Sequence, residues 1–338
     1  MKKMLSLFFF LLFCSPLFAA PFHQIVFFGD SLSDNGNIYK LIKVPGSPPY
    51  YQGRFSNGPT WAEYVGNYYY NKYYIATLNH SYGGATAILH DPLTDPFIAP
   101  MNLETELFSY YANSLSTNKN DVLYVIWIGA NDYLYEKTNK IDKLTTAVVE
   151  KISWAITSLI NHGATHFLIL NLPDLASTPY ATSIHETDRI HFITTMHNQK
   201  LLDKMNELQN HYPTIKFISI DVYNLLNDLI LHPEKYSPTI KDLTQPCLIG
   251  GIVFNAKLEM SLRENLKKLN IVHPKNLMHY ILQSPSMREA YRLSKDPGIK
   301  ICDNVNEHIF WDDLHPTTQV HQILGNIVVK KLAEEGMG

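Results

Sequence analysis

Residues 25–36 read Ile25-Val26-Phe27-Phe28-Gly29-Asp30-Ser31-Leu32-Ser33-Asp34-Asn35-Gly36. Four apolar residues followed by Gly-Asp-Ser describe a buried strand that stops at a turn. An unbroken apolar run suits a central strand of a parallel sheet, which is covered on both faces. Gly29 permits a tight turn where a side chain would crowd the backbone. Ser31 then stands just past the carboxyl end of the strand, the edge at which open α/β sheets bind ligands. Two readings of Gly29-Asp30-Ser31 stay open here. One is a nucleophilic hydroxyl facing a cleft; the other is a capped turn in which Asp30 or Ser31 satisfies backbone donors.

The same pattern returns along the chain. Residues 75–81 run into Gly83-Gly84-Ala85-Thr86, and 122–128 into Gly129-Ala130-Asn131-Asp132. Residues 166–172 run into Pro173-Asp174, and 215–220 make a fifth strand. Residues 35–58 read as loop. Helical spacing lies between the strands: from Pro59 through Trp61, Val65 and Tyr69, over 103–111, over 141–162 up to Gly163, over about 187–210 and near 221–231. A last helix carries Val320, Ile323, Leu324, Ile327 and Leu332 on one side. This alternation predicts an α/β protein, a five-stranded parallel sheet with helices on both faces. Right-handed crossovers would gather the glycine-bearing turns at 29, 83–84 and 129 on one edge.

Hydrophobic residues make up 46% of the 338 and charged residues 17%, ample for a core. A net charge of −3 does not supply the basic face that nucleic-acid binding uses, so no nucleic-acid partner is expected. The 21 tyrosines exceed ordinary use; the cluster Tyr68, Tyr69, Tyr70, Tyr73 and Tyr74 is read as packing, with lipid contact as the alternative. Residues 1–20 read as a secretory signal peptide: Lys2 and Lys3, an apolar run over 5–13, Pro16, then Ala19-Ala20. The run falls short of the ~20 residues of a membrane span. Cys14 lacks the small residues that precede a lipid-anchor cysteine. The mature chain, 21–338, is therefore expected to be one exported, soluble domain, periplasmic or extracellular.

Cys247 and Cys302 in an oxidising compartment read as a disulfide, with two free thiols as the alternative. A bridge across so long a loop stabilises by roughly 4 kcal/mol in chain-entropy models. Residues 232–302 break the strand–helix rhythm and carry more Lys and Arg than acids. They are read as an insertion bounded by Cys247 and Cys302: an elaborated loop, or a lid or protease-sensitive regulatory loop, which would make a processing protease a partner.

The chain closes with Phe310-Trp311-Asp312-Asp313-Leu314-His315-Pro316-Thr317-Thr318. Asp312 and His315 are spaced so that a carboxylate can accept from one ring nitrogen and leave the other as a base. A serine hydroxyl needs such a base at neutral pH. Alone, Asp-x-x-His equally describes a metal-ligand pair or a surface turn. With no His-Glu-x-x-His and no cysteine cluster, no metal is expected, and no cofactor.

In this order the blocks are more specific than any one of them. Gly29-Asp30-Ser31-Leu32-Ser33-Asp34, Gly83-Gly84-Ala85, Gly129-Ala130-Asn131-Asp132 and Asp312-Asp313-Leu314-His315-Pro316 resemble the four blocks of the GDSL esterases and lipases, also called SGNH hydrolases. The surrounding phrases resemble the secreted bacterial branch of lysophospholipases, phospholipases A and lipid acyltransferases, which includes glycerophospholipid:cholesterol acyltransferase. The resemblance implies a flavodoxin-like three-layer α/β/α sandwich. The absence of Gly-x-Ser-x-Gly speaks against the α/β-hydrolase alternative.

The resemblance also implies roles. Ser31 attacks an ester carbonyl, His315 carries the proton, and Asp312 orients His315. The Ser31 N–H, the Gly84 N–H and the Asn131 side chain form the oxyanion hole. Gly83 is the alternative to Gly84, Asp313 the rival carboxylate, and Ser33 the rival nucleophile, which should point away if Ser31 begins a helix. The implied function is a secreted serine hydrolase of lipid esters, a lysophospholipase A or phospholipase A acting through an acyl-enzyme in peripheral contact with membranes or micelles. The alternatives are acyl transfer to cholesterol or another alcohol, a carbohydrate acetylesterase, and a non-catalytic exported lipid-binding protein.

Overall fold

The computed structural model describes residues 22–88, 101–114, 119–135, 138–250, 256–269 and 274–338. Residues 1–20, read from the sequence as a signal peptide, lie outside the described residues, Cys14 included. Strands β1 (Gln24–Gly29), β2 (Ala76–Asn79), β3 (Val122–Trp127), β4 (His166–Leu170) and β5 (Lys216–Ile220) form one parallel sheet in the order β2-β1-β3-β4-β5. All six residues of β3 and five of the six in β1 are buried, as a central position demands.

The helices are α1 (Asn37–Ile42), α2 (Trp61–Tyr73), α3 (Leu103–Asn113), α4 (Ala130–Tyr135), α5 (Ile141–Asn161), α6 (Pro179–Ser183), α7 (Thr187–His211), α8 (Val222–Leu231), α9 (Ala256–Lys268), α10 (Pro274–Gln283), α11 (Pro285–Lys295) and α12 (Thr318–Glu334). Alternate residues of β1 reach the two outer layers. Phe27 meets Trp61 of α2 edge-on at 5.6 Å between ring centroids, and Phe28 meets Tyr110 of α3 at 5.8 Å. Helix α12 packs beside α2 on the first layer, and α5 beside α7 and α3 on the second. The three-layer α/β/α sandwich is therefore as the sequence implied.

Several boundaries differ from the sequence reading. The helix read from Pro59 begins at Trp61, because Glu63 reaches back to accept from the Thr60 N–H at 2.9 Å and makes Thr60 the cap. The loop 35–58 contains α1, too short for periodicity to reveal. The second strand stops at Asn79, whose side chain accepts from the Ser81 N–H and donates to the Ser33 carbonyl. Tyr69 is buried with its hydroxyl on the Met337 carbonyl, whereas Tyr70 and Tyr74 are exposed.

Residues 232–302 hold α9, α10 and α11 together with short strands. Strand β6 (Asp242–Pro246) runs parallel to β9 (His308–Phe310), and β7 (Leu248–Ile249) antiparallel to β8 (Lys300–Ile301). A disulfide joins Cys247 to Cys302 at that base. Tyr280, Met287, Tyr291 and Leu293 build a second apolar cluster with Ile38, Val44, Tyr50, Phe55 and Trp311. Among the described residues no helix is long and apolar enough to cross a membrane.

Candidate active site

The end of β1 approaches β3 so closely that a Cβ on Gly29 would lie 2.5 Å from the Trp127 carbonyl oxygen. Only glycine fits there. The chain then folds into a turn in which the Asp30 carbonyl accepts from the N–H groups of Ser33 and Asp34 at 3.0 and 2.9 Å. Ser31 thus sits in a tight turn, not at the start of a helix. Ser33 still points away: its Oγ accepts from Trp61 Nε1 at 3.1 Å. Asp30 does cap the turn, accepting from the Leu32 N–H at 3.0 Å, and burial pushes its carboxyl up to about 6.

Ser31 Oγ lies 2.9 Å from His315 Nε2. His315 stands on the loop between β9 and α12, where its carbonyl accepts from the Trp311 N–H at 2.7 Å. Its Nδ1 lies 2.9 and 2.8 Å from the two oxygens of Asp312. The Asp312 carboxylate also accepts from the Leu314 and His315 N–H groups at 2.8 and 2.7 Å and from the Tyr50 hydroxyl at 2.7 Å. Burial works to raise this carboxyl, but His315 and the hydrogen bonds outweigh it and hold it below the usual range. An ionised acceptor on Nδ1 assigns the ring proton there and leaves Nε2 as acceptor for the serine proton.

Asp313 does something else. Its carbonyl accepts from the Tyr180 N–H at 2.9 Å, and burial, with Glu289 nearby, pushes its carboxyl up to about 6.

The glycine block divides its duties. The Gly83 N–H donates to Asp34 Oδ2 at 2.8 Å and is committed there. The Gly84 N–H donates to no group among the described residues, and Gly84 has φ +76°, which favours glycine. Asn131 opens α4; its Nδ2 donates to the Ala85 carbonyl at 3.0 Å, and its Oδ1 accepts from Ser286 Oγ at 2.9 Å. Asp132 ties the two blocks together by accepting from the N–H groups of Ala87 and Ile88 at 2.8 and 3.1 Å. The structure therefore brings Ser31, His315 and Asn131 onto one cleft, with Gly84 joined to Asn131 through its neighbour Ala85.

The cleft opens to solvent at its mouth. Its lining is largely alkyl and aromatic, with Leu225, Leu226 and Leu229 of α8, Ile309 and Phe310 of β9, and Val320, Ile323 and Leu324 of α12; Asp30, Asp174, Thr178 and Ser286 join Ser31, His315 and Asn131 as its polar groups. His321 also faces it and is held neutral, burial pushing it down to about 3. Among the described residues no three His, Cys, Asp or Glu side chains group as a metal site.

Tyr50, Tyr280 and Ser286 were not singled out from the sequence. Ser284-Pro285 does carry the signal of a helix start, a serine cap before proline, which puts Ser286 in the first turn of α11. Nothing local pointed from there to Asn131.

The family model described as GDSL-like Lipase/Acylhydrolase matches residues 25–328. The phosphatidylcholine-sterol acyltransferase of Aeromonas hydrophila is 31% identical over 90% of this chain and 88% of its own length. A GDSL esterase/lipase of Arabidopsis thaliana is 24% identical over 91% of this chain and 85% of its own. The secreted effector protein SseJ of Salmonella typhimurium is 27% identical over 88% of this chain and 60% of its own.

Proposed function

The chain belongs to the GDSL-like lipase/acylhydrolase family, and from that premise we propose that it is an exported serine hydrolase of lipid esters, a lysophospholipase A or phospholipase A. The observation that carries the proposal is the 2.9 Å contact between Ser31 Oγ and His315 Nε2 on the wall of an apolar cleft. Ser31 Oγ attacks the ester carbonyl carbon and passes its proton to His315 Nε2; Asp312 stabilises the imidazolium that forms. The Ser31 and Gly84 N–H groups and Asn131 Nδ2 receive the charge that develops on the carbonyl oxygen. Collapse of the tetrahedral intermediate breaks the bond to the alcohol, which leaves with the proton from His315. Water then repeats the sequence on the acyl-Ser31 ester and releases the fatty acid.

The cleft supports a long acyl chain. Each methylene moved from water onto such a wall is worth about 0.8 kcal/mol. An acetyl group would use little of that wall, and a sugar would meet few polar partners along it, which weakens the carbohydrate acetylesterase reading. The complete Ser31–His315–Asp312 constellation speaks against a purely binding role. A second reading, transfer of the acyl group to a sterol or another alcohol, is favoured by the similarity to the Aeromonas acyltransferase. The acyl-enzyme is common to both.

Export through residues 1–20, peripheral contact with membranes or micelles, and cleavage by a protease between Cys247 and Cys302 belong to the same proposal. The disulfide would keep both halves joined after such a cut. Product analysis on a mixed panel of phospholipids and lysophospholipids, with and without cholesterol, tests it. Free fatty acid from the lysophospholipids supports hydrolysis, and steryl ester supports transfer. No release from either class by a protein that cleaves short soluble esters would overturn the lipid reading.

A further inference from the structure

We propose that the disulfide-tied segment 232–302 is part of the oxyanion hole, with Tyr280 and Ser286 as positioning residues that hold two of its three donors, the Gly84 N–H and Asn131 Nδ2, from behind. The proposal rests on the assignment of Ser31 as nucleophile. The Gly84 N–H and the Gly83 carbonyl are opposite ends of one planar peptide unit. The Tyr280 hydroxyl donates to that carbonyl at 2.7 Å, so fixing it fixes the direction of the N–H. Asn131 repeats the arrangement in a side chain. Ser286 Oγ donates to Oδ1 at 2.9 Å, while the other end of the carboxamide, Nδ2, carries two protons, one given to the Ala85 carbonyl and the second left for the hole. Turning the carboxamide over would set Oδ1 against the Ala85 carbonyl that Nδ2 now bonds at 3.0 Å. Both donors are thus amides, and both have a hydroxyl from 232–302 on the carbonyl end. A hydrogen bond at that end also polarises the amide and strengthens its N–H as a donor.

The segment is seated to do this. A Cβ on Gly84 would lie 2.6 Å from both the Tyr280 hydroxyl and Met287 Cγ, so α10 and α11 rest directly on the glycine block. Tyr280 and Ser286 are buried, which shields both bonds from water. Burial also keeps the Tyr280 phenol protonated, raising it well above its ordinary value. At the base of the segment, the Cys247 and Leu248 N–H groups donate to the carbonyls of Phe310 and Trp311 at 3.0 and 2.7 Å, just before Asp312. A lid could open and leave the donors as they are. This segment cannot leave without releasing both.

The test uses the full mature chain with p-nitrophenyl butyrate, a substrate too short to need the distal cleft. Tyr280→Phe removes one oxygen; Ser286→Ala removes the other hydroxyl. Each should lower kcat by about 10-fold with KM nearly unchanged, and the pair together by about 100-fold, within the range for losing one donor outright. The Ki of a short alkylboronic acid, whose tetrahedral adduct occupies the hole, should weaken in proportion. Ser286→Thr and Ser286→Val have the same shape and differ in the hydroxyl alone: Thr should keep kcat and Val should lose it. Unchanged kcat in Tyr280→Phe and Ser286→Ala would overturn the proposal, as would equal losses in Thr and Val. Ser31→Ala is the separate arm. Full activity there would overturn the nucleophile assignment, and this inference with it; an inactive Ser31→Ala beside fully active Tyr280→Phe and Ser286→Ala would overturn this inference alone.

Discussion

Tyr50 and Asp312, 262 positions apart, meet in a buried 2.7 Å hydrogen bond, so the carboxylate that holds His315 is itself held by a tyrosine from the loop after α1. A hydroxyl donating to a buried carboxylate is worth more than a neutral pair, and its loss leaves an acceptor without a partner. Tyr50→Phe is expected to lower kcat/KM on a short ester by about ten-fold. The acid limb of its pH profile should move to higher pH, because Asp312 loses one of the bonds that keep its carboxyl low. Stopped-time assays from pH 4 to 9 on both proteins check this.

On the proposed lipid-ester reading, the cleft beyond Ser31 receives the acyl chain and sets its length. Leu226 lines it from α8 and is only partly buried, so a larger side chain can be admitted there without breaking the core. Leu226→Trp is expected to cut kcat/KM for a sixteen-carbon acyl ester at least about ten-fold while sparing a four-carbon one, since each methylene kept off the wall forfeits about 0.8 kcal/mol and two suffice for that loss. A chain-length series of p-nitrophenyl esters measures it. An unchanged profile would mean the acyl chain lies elsewhere.

The disulfide closes a loop across 55 positions and ties down the segment that carries Tyr280 and Ser286. Cys247→Ser with Cys302→Ser is expected to lower stability by about 4 kcal/mol and to lower kcat on a short ester at temperatures where the variant is still folded. Denaturant unfolding and initial rates, measured side by side, separate the two effects.

Two buried histidines couple stability to acid. His197 lies against the Tyr133 hydroxyl at 2.6 Å, and burial pushes it down to about 3. The unfolded chain takes up a proton on that ring near its ordinary value of about 6.5. The stabilisation is therefore complete above that value and is lost as pH falls through it toward the folded-state value. Each pH unit in that window costs about 1.4 kcal/mol per histidine. The stability gap between wild type and His197→Phe should narrow, or reverse, by about that amount per unit from pH 6 to pH 4. A gap that stays constant would show that His197 is protonated in the folded molecule.

The sheet and the triad were legible for different reasons. Strands β1 and β3 are central and buried on both faces, so their residues had to be apolar without interruption. Asp312 and His315 are three residues apart, so their contact is written in local spacing. The choice of Gly84 over Gly83 was not, because Asp34, 49 positions before Gly83, takes the Gly83 N–H. Tyr50, Tyr280 and Ser286 act on partners 262, 197 and 155 positions away, and a single hydrogen bond over such a distance leaves no periodic trace. Pro59 misled for a simpler reason: proline fits a first helical position, but Glu63 had already chosen Thr60 as the cap.

The central claim is that Ser31 becomes acylated. Treatment with a fluorophosphonate followed by peptide mass mapping tests it most directly. One adduct per chain is expected, on Ser31, with activity lost in step. Ser31→Ala should take up no label and should lose activity by a factor on the order of 10⁶, with its unfolding transition little changed. Label on Ser33, or full turnover by Ser31→Ala, would contradict the account.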